Sequence, residues 1–422
     1  MNLVVLGLWH LGCVTAACCA RHFQVTGLDF DDATVAGLNA GRAPLLEPGL
    51  NELLGAGLTA GRLRFTTEIS SACAQANVLW VCYDTPVDDG DESDVEFVLE
   101  RVRRVLPHLS SGTLVLVSSQ LPVGTCATLE KEFPGLPIAC SPENLRLGRA
   151  LEAFEKADRA IVGLRPAAQR ALLEELFRPF TSQILFMGTE SAEMVKHALN
   201  SFLAVSVTFI NEVARLCEQV GADAMEVSRG LKSDPRIGAR AYLGPGGAFA
   251  GGTLARDVVT LTKLGAERRE TLELLPAIKR SNDQHRGWAY RKLQSRLGDL
   301  HGKRIVVLGL VYTPNTDTLR RSAAVELCHQ LLEAGAEVRA FDPAVKGLPP
   351  ELGRVRLGAE LGQTLASAEA AVLCTEWPQF RQVRWPELVR TMNQPRLVLD
   401  ANRFLEKELA GCGEVEHLSV GR

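Results

Sequence analysis

The strand-turn-helix pattern at the start of the chain, VVLGLWHLGCVTAACCA (Val4 to Ala20), constrains the fold more than any other feature. A short apolar run leads into Gly7, and Gly12 stands before a helical stretch, as in the G-x-G-x-x-G turn of a βαβ unit. Trp9 occupies the position of the middle glycine. A residue other than glycine fits there if its φ is negative and its side chain points away from the turn. The pattern predicts a Rossmann-type domain with an altered turn.

A carboxylate at the end of the next apolar run strengthens this prediction. The run Val25-Thr26-Gly27-Leu28 ends in Asp29, and an acidic side chain there can accept hydrogen bonds from both hydroxyls of a ribose. The same carboxylate disfavours a 2′-phosphate, so NAD is favoured over NADP. The alternatives are a solvated strand-end carboxylate at Asp29 and glycines that serve only tight strand–helix packing. Turn and carboxylate together predict an NAD site.

The order of apolar runs predicts the rest of the fold. Runs of strand length alternate with helical patterns, which is typical of a parallel sheet covered on both faces. The predicted strands are Leu3–Leu6, Gln24–Leu28, Asn77–Cys82, Thr113–Ser118, Ala160–Val162, Lys303–Leu310, Glu337–Phe341, Ala370–Cys374 and Leu397–Leu399. Residues 191–220 contain no proline or glycine and repeat apolar residues at helical spacing, so they predict one long helix.

These patterns predict an α/β protein with two Rossmann-like, doubly wound domains joined by a long central helix. We place an NAD-binding domain at residues 1–188, a central helical region with a glycine-rich loop at 189–300, and a second Rossmann-like domain at 301–422. The 422 residues are more than one core normally needs.

Composition excludes several classes of function. A net charge of −4 offers no field for nucleic acid or anionic lipid. The N-terminus has no basic stretch before its apolar run, and no run is long enough to cross a membrane. Eleven cysteines in irregular places fit neither a disulfide framework nor a zinc site. We therefore expect a cytoplasmic protein with reduced thiols and no metal.

A series of short motifs then follows in order along nearly the whole chain. They are LLEPGLNELL (Leu45–Leu54), DTPVD (Asp84–Asp88), LPVGT (Leu121–Thr125), SPENLRLGRALEAFEKADRAIVG (Ser141–Gly163), SAEMVKHALNSFLAVSVTFINEVARLCEQVGAD (Ser191–Asp223), DPRIGARAYLGPGGAFAGG (Asp234–Gly252), GLVYTPNTDTLRRS (Gly309–Ser322), CTEWPQF (Cys374–Phe380) and LDANRF (Leu399–Phe404). On these motifs the sequence resembles the UDP-glucose/GDP-mannose dehydrogenase family of nucleotide-sugar dehydrogenases. The resemblance implies a homodimer built through the central helix, so that residues 189–300 form the dimerisation region, and a sugar nucleotide bound by the domain of residues 301–422.

The resemblance also implies a set of site residues. The catalytic positions are Lys196, Asn200, Asp257 and Glu143. The cofactor positions are Gly7, Trp9, His10, Leu11, Gly12, Asp29, Thr85, Pro86 and Gln120. The substrate positions are Glu143, Asn144, Leu145, Lys196, Asn200, Arg236, Gly247, Gly251, Arg320 and Arg403. Taken singly, Lys196, Asn200 and Asp257 also fit a snorkelling lysine, a polar helix face and a helix cap.

Family members typically oxidise the C6 alcohol of the sugar twice, with two NAD+ and a cysteine that captures the aldehyde. The thiol is needed because an aldehyde gives up no hydride until a nucleophile has added to it. In this chain the segment that matches the family's cysteine motif reads GGTLARD, one residue shorter, with Leu254 at the thiol position. A hydrolytic glutamate falls on Leu147 and a threonine on Gln120.

Three hypotheses follow. The first is an NAD-dependent oxidoreductase acting on a nucleotide sugar and limited to a two-electron oxidation of an alcohol. The second is a redox-neutral epimerase that retains its NAD and returns the hydride to the other face of the sugar. The third is a non-catalytic homologue that binds sugar nucleotides. A lysine of the family has become Thr313 and an arginine is displaced to Arg403, so sugar or nucleotide preference can differ from UDP-glucose.

Overall fold

The computed structural model describes residues 1–88, 90–143, 145–165, 169–250 and 253–422. The chain forms two compact units, Met1–Leu199 and Asn200–Arg422. In the described part of the chain, no helix has the length and hydropathy needed to cross a membrane.

Unit 1 is built on an eight-stranded sheet of order β3-β2-β1-β4-β5-β6-β7-β8. All neighbouring strands are parallel except β6 and β7. The first six strands therefore have the order of a dinucleotide-binding sheet, with its switch point between β1 and β4. The strands are β1 (Asn2–Leu6), β2 (Gln24–Leu28), β3 (Leu63–Thr66), β4 (Val78–Val81), β5 (Leu114–Val117), β6 (Ile138–Cys140), β7 (Ala160–Leu164) and β8 (Ile184–Met187).

Helices cover both faces of this sheet, as the side chains of β1 require. Leu3 and Val5 pack in one apolar cluster, whereas Val4 and Leu6 pack in the cluster on the other face. Because side chains alternate along a strand, a wholly apolar strand needs cover on both sides. The helices are α1 (His10–Cys19), α2 (Asp32–Asn39), α3 (Leu50–Thr59), α4 (Ile69–Cys73), α5 (Val95–Val105), α6 (Thr125–Glu132), α7 (Ala150–Glu155) and α8 (Arg170–Phe177).

The predicted long helix is α9 (Thr189–Val220), and it connects the two units in sequence. It ends where Gly221 adopts a φ of +73°, a conformation that favours glycine and stops a helix. The prediction of one helix over residues 191–220 is thus confirmed.

Unit 2 contains a six-stranded parallel sheet of order β11-β10-β9-β12-β13-β14. Its strands are β9 (Arg304–Leu308), β10 (Glu337–Phe341), β11 (Arg356–Leu357), β12 (Ala370–Leu373), β13 (Leu397–Asp400) and β14 (Glu416–Leu418). Its other helices are α10 (Ala224–Ser233), α11 (Leu254–Glu267), α12 (Leu274–Arg286), α13 (Trp288–Leu297), α14 (Ala323–Glu333), α15 (Leu361–Leu365), α16 (Trp385–Arg390) and α17 (Glu406–Leu409). The predicted fold of two Rossmann-like domains joined by a long central helix is confirmed.

Candidate active site

In the turn after β1, the backbone at Gly7 lies very close to the first turn of α1. Gly7 has a φ of +93°, and its N–H donates to the carbonyl of Leu28 at 3.0 Å. A Cβ added to Gly12 would lie 1.7 Å from the Gly7 carbonyl oxygen, so α1 can start this close to the turn only with glycine. The first N–H groups of α1 form a helix N-terminus of the kind that binds a pyrophosphate. The predicted glycines therefore fit a dinucleotide.

Trp9 occupies the position of the middle glycine in this turn. It is the residue before α1, its φ is −96°, and its side chain is 47% exposed. The first condition set by the sequence, a negative φ, is thus met. The indole has no acceptor that could cap the first N–H groups of the helix. The turn therefore accommodates a residue larger than glycine at this position.

His10 is used structurally. Its Nε2 lies 3.0 Å from the Oε2 atom of Glu47, and both residues are buried. Glu47 also accepts hydrogen bonds from the N–H groups of Gly148 at 2.8 Å and Ala150 at 2.9 Å. Burial by itself raises the pKa of Glu47, but these hydrogen bonds outweigh it and the pKa is lowered. Glu47, which the sequence did not single out, thereby ties the start of α1 to the segment before α7.

Asp29 lies at the end of β2, beside the glycine turn. One carboxylate oxygen accepts from the N–H of Leu8 at 2.6 Å and the other from the N–H of Phe30 at 2.7 Å. The turn and the carboxylate are therefore fixed relative to each other, as a ribose site requires.

The loops after β4 and β5 carry the remaining predicted cofactor residues. The hydroxyl of Thr85 donates to the carbonyl of Gln120 at 2.8 Å and joins these two loops, and Pro86 follows Thr85. Leu11 donates its N–H to the exposed carboxylate of Asp84 at 3.3 Å. Asp84 is a second residue that sequence reasoning missed, because it lies 73 positions from Leu11 and only the tertiary structure brings it to the N-terminus of α1.

A cavity of about 470 Å³ in unit 1 contains three of the predicted substrate positions, Glu143, Leu145 and Lys196. The carboxylate of Glu143 accepts from the N–H of Leu145, which shapes the loop after β6. Lys196 is 9% exposed on α9. Arginine and lysine side chains also line the cavity, together with two carboxylates: Arg146, Arg149, Lys156, Arg159, Glu152 and Asp158.

Two of the predicted catalytic residues contact each other in unit 2. Asn200 on α9 donates from Nδ2 to the Oδ2 atom of Asp257 on α11 at 2.5 Å, and both residues are buried. Lys196 precedes Asn200 by four residues in the same helix, so the two side chains share one helix face. A buried carboxylate that is fixed by an amide can accept a proton at a defined position.

The glycine-rich loop, residues 243–250, lies immediately before the segment that leads into α11. Asn211 accepts from the N–H of Gly246 at 3.0 Å, and Asn402 accepts from the N–H of Gly247 at 2.7 Å. A Cβ added to Gly246 would lie 2.0 Å from the Oδ1 atom of Asn402, so a larger residue there would displace the Asn402 side chain. Asn402, which directly precedes the displaced Arg403, therefore holds the loop.

Leu254 starts α11 and packs against the apolar cluster of Ala204, Val258 and Ile278. The four cysteines of unit 2, at positions 217, 328, 374 and 412, pack in or against other clusters. Burial raises the pKa of Cys328 to about 12, which keeps that thiol protonated and inert. Leu254, which the resemblance aligns with the family's thiol, is thus an apolar packing residue.

The predicted arginines differ in their surroundings. Arg236 is exposed and its guanidinium pairs with Asp234 at 2.7 Å, while Arg320 is exposed in the loop between β9 and α14. Arg403 is buried, with Nη1 2.8 Å from Asp223 and Nη2 3.3 Å from the carbonyl of Gly421. The Arg403 guanidinium lowers the pKa of Asp223. Arg403 therefore fastens the C-terminal segment, and its expected contact with substrate stays a prediction. Asn144 and Gly251 lie outside the described residues.

Comparison with known proteins identifies the family. Residues 1–181 match the NAD binding domain of the UDP-glucose/GDP-mannose dehydrogenase family, residues 190–284 match its central domain, and residues 306–407 match its UDP binding domain. The UDP-glucose 6-dehydrogenase of Rhizobium meliloti is 32% identical, with 100% of both chains covered.

Solved structures agree. The UDP-glucose dehydrogenase of Pyrobaculum islandicum superimposes with a TM-score of 0.88 at 31% identity, covering 100% of this chain and 97% of the other. The UDP-D-ManNAc dehydrogenase of Pyrococcus horikoshii gives 0.87 at 26% identity, covering 100% and 99%. The chain therefore belongs to the UDP-glucose/GDP-mannose dehydrogenase family of oxidoreductases, and its N-terminal Rossmann domain is that family's NAD-binding domain.

Proposed function

We propose that this protein oxidises an alcohol carbon of a nucleotide-activated sugar by two electrons and releases the carbonyl product. The observation that carries the proposal is the contrast at α11. The Asn200–Asp257 pair is formed at 2.5 Å, whereas Leu254 at the start of the same helix packs into an apolar cluster. The groups for alcohol oxidation are present, and the thiol for the second oxidation is replaced.

The chemistry needs two actions from this chain. Lys196 stabilises the alkoxide that develops as the alcohol loses its proton, since an ammonium in a buried site is worth more than in water. Asp257 receives the proton, directly or through water, and Asn200 holds the carboxylate in place. Bound NAD+ supplies the acceptor for the hydride. The balance is one alcohol and one NAD+ giving one carbonyl, one NADH and one proton.

The substrate class is a sugar nucleotide. The match to a UDP binding domain over residues 306–407 supports it, as do the UDP-sugar substrates in the names of the relatives. In unit 1, Arg149 and Arg159 line the cavity that also contains Glu143, and guanidinium groups suit phosphate oxygens. UDP-glucose is the first compound to test.

Incubation with NAD+ and a panel of nucleotide sugars should give one NADH per sugar and a product lighter by two hydrogen atoms. Mass spectrometry and absorbance of NADH measure both quantities. An acid product with two NADH per sugar would show that water replaces the thiol and would refute the proposed limit. An isomer without net NADH would indicate the epimerase, and binding without turnover would indicate the non-catalytic homologue.

We also propose that the protein is a homodimer through α9. Four exposed apolar side chains, Phe202, Phe209, Leu216 and Val220, are 49–76% exposed and recur along this helix. The spacing of seven between the first three places them on one face, which is the pattern of a helix packed against a partner. In the proposed dimer, a second copy of the chain covers this apolar face of α9.

Leu216→Glu should convert the dimer to a monomer, because a carboxylate in an apolar interface is left unpaired and desolvated. Light scattering after size-exclusion chromatography measures the mass. Leu185→Glu is the matched control, since Leu185 is 48% exposed on β8, outside α9, and this variant should remain dimeric. A Leu216→Glu protein that stays dimeric would rule out this interface.

A further inference from the structure

His285 on α12 contacts the glycine-rich loop in a way that differs from the other side chains that hold it. Asn211, Asn282 and Asn402 bind the loop through amides, and Asn282 both accepts from the N–H of Phe249 at 3.0 Å and donates to its carbonyl at 2.9 Å. His285 places Nε2 2.8 Å from the carbonyl oxygen of Gly246. Of these four side chains, His285 is the one that changes charge between about pH 5 and 8.

The partners of His285 define its protonation state. Its Nδ1 lies 3.3 Å from Nη1 of Arg215 on α9. A guanidinium can only donate, so Nδ1 must accept and carry no proton. Nε2 must then carry the proton and donate to the Gly246 carbonyl. Both contacts are satisfied together only when the ring is neutral.

The surroundings oppose a second proton. The ring is 2% exposed, and burial is the largest effect that lowers the pKa of His285 below the ordinary 6.5. The Gly246 carbonyl and Glu218 on α9 raise the pKa of His285, whereas Arg215 on α9 and Arg291 on α13 lower it. The net result is a lowered pKa. Glu218 also forms an ion pair with Lys292 at 2.7 Å, which weakens the stabilisation that Glu218 gives to a charged His285 ring.

We propose that His285 is a pH-responsive positioning residue, whose neutral ring seats the glycine-rich loop for a sugar nucleotide and whose protonation releases that loop. A proton on Nδ1 would face the Arg215 guanidinium at 3.3 Å, with N–H against N–H and charge against like charge. Lifting the loop opens a way to solvent for the charged ring. The inference rests on the proposed function for the role of the loop toward substrate.

The direction of the pH effect follows from the lowered pKa. The released state binds the proton more tightly than the seated state, so the loop is held fully above about pH 6.5 and loses stability as the pH falls below that value. A sugar nucleotide should bind more weakly in the same range, with KM rising and kcat unchanged.

Hydrogen–deuterium exchange of the peptide over residues 243–250 tests this in the protein without substrate. After correction for intrinsic exchange, opening of the loop should become about tenfold more frequent between about pH 7.5 and about pH 5.5. In His285→Gln, whose amide can donate to Gly246 and accept from Arg215, exchange should not respond to pH. His301→Gln alters an exposed histidine and should respond like the wild type.

Equal loop exchange at both pH values in the wild type overturns the inference, and this measurement needs no variant to fold. A full acid response in His285→Gln overturns it as well. If exchange responds as expected but no nucleotide sugar is turned over, the proposed function fails while the inference about His285 stands. If turnover is found with a pH-independent KM, the link from the loop to substrate fails.

Discussion

Asp257→Asn should lower kcat by about 10²–10⁴-fold, because an amide of the same shape cannot accept the proton that leaves the alcohol. Asp257 is fully buried and its Oδ2 lies 2.5 Å from Nδ2 of Asn200, so the replacement keeps the packing and removes the base. Steady-state kinetics with NAD+ and the nucleotide sugar found active measure the effect. NAD affinity should change little, since the predicted cofactor residues lie in unit 1.

Asp299→Asn is the matched control for that prediction. It makes the same chemical change at an exposed residue between α13 and β9 and should leave kcat unchanged. Thermal unfolding of both variants separates loss of chemistry from loss of structure. A folded Asp257→Asn protein with kcat near that of the wild type would exclude Asp257 as the proton acceptor.

Gly12→Ala should abolish measurable NAD binding and destabilise the protein by about 3 kcal/mol or more. The added Cβ would lie 1.7 Å from the carbonyl oxygen and 2.8 Å from the carbonyl carbon of Gly7, so α1 must move away from the turn. That movement displaces the N–H groups that face the pyrophosphate. Calorimetric titration with NAD and denaturant unfolding measure the two effects.

Gly55→Ala is the control, and we expect it to raise stability where Gly12→Ala lowers it. Gly55 lies inside α3, and a Cβ there meets no other atom within 4 Å. The variant should be more stable by about 0.5–1 kcal/mol, because alanine is the better helix former. If Gly12→Ala bound NAD as tightly as Gly55→Ala, the close packing of turn and helix would not matter for the cofactor.

Central strands were predictable from the sequence, whereas edge and short strands were not. All nine predicted strands are present in the described structure. Five of them, β1, β4, β5, β9 and β12, consist of almost uniformly buried residues, which makes their apolar runs visible in the sequence. The structure adds β3, β6, β8, β11 and β14. β8 is partly exposed throughout, β6 has three residues, and β11 has two. Such segments bury too little apolar surface to show a pattern and depend on their neighbours for pairing.

The candidate site divides in a similar way. The spacing of Lys196 and Asn200 within a helix placed both side chains on one helix face. The motif around Asp257 identified it as a site residue. The hydrogen bond between Asn200 and Asp257 joins residues 57 positions apart. For Arg403 the motif suggested a substrate contact, which stays a prediction, and only the tertiary structure shows that its side chain contacts Asp223 and Gly421.

By itself, the sequence determined the two Rossmann-like domains and the long central helix, and it predicted the NAD-type turn with Asp29 and the alignment of Leu254 with the family's thiol. These features depend on periodicity and on residue identity, which are local properties of the chain. The tertiary structure decided that Glu47 locks the start of α1, that Leu254 packs into an apolar cluster, and that His285 and three asparagines seat the glycine-rich loop. Those roles depend on contacts between distant segments, whose geometry is set by packing and hydrogen bonding.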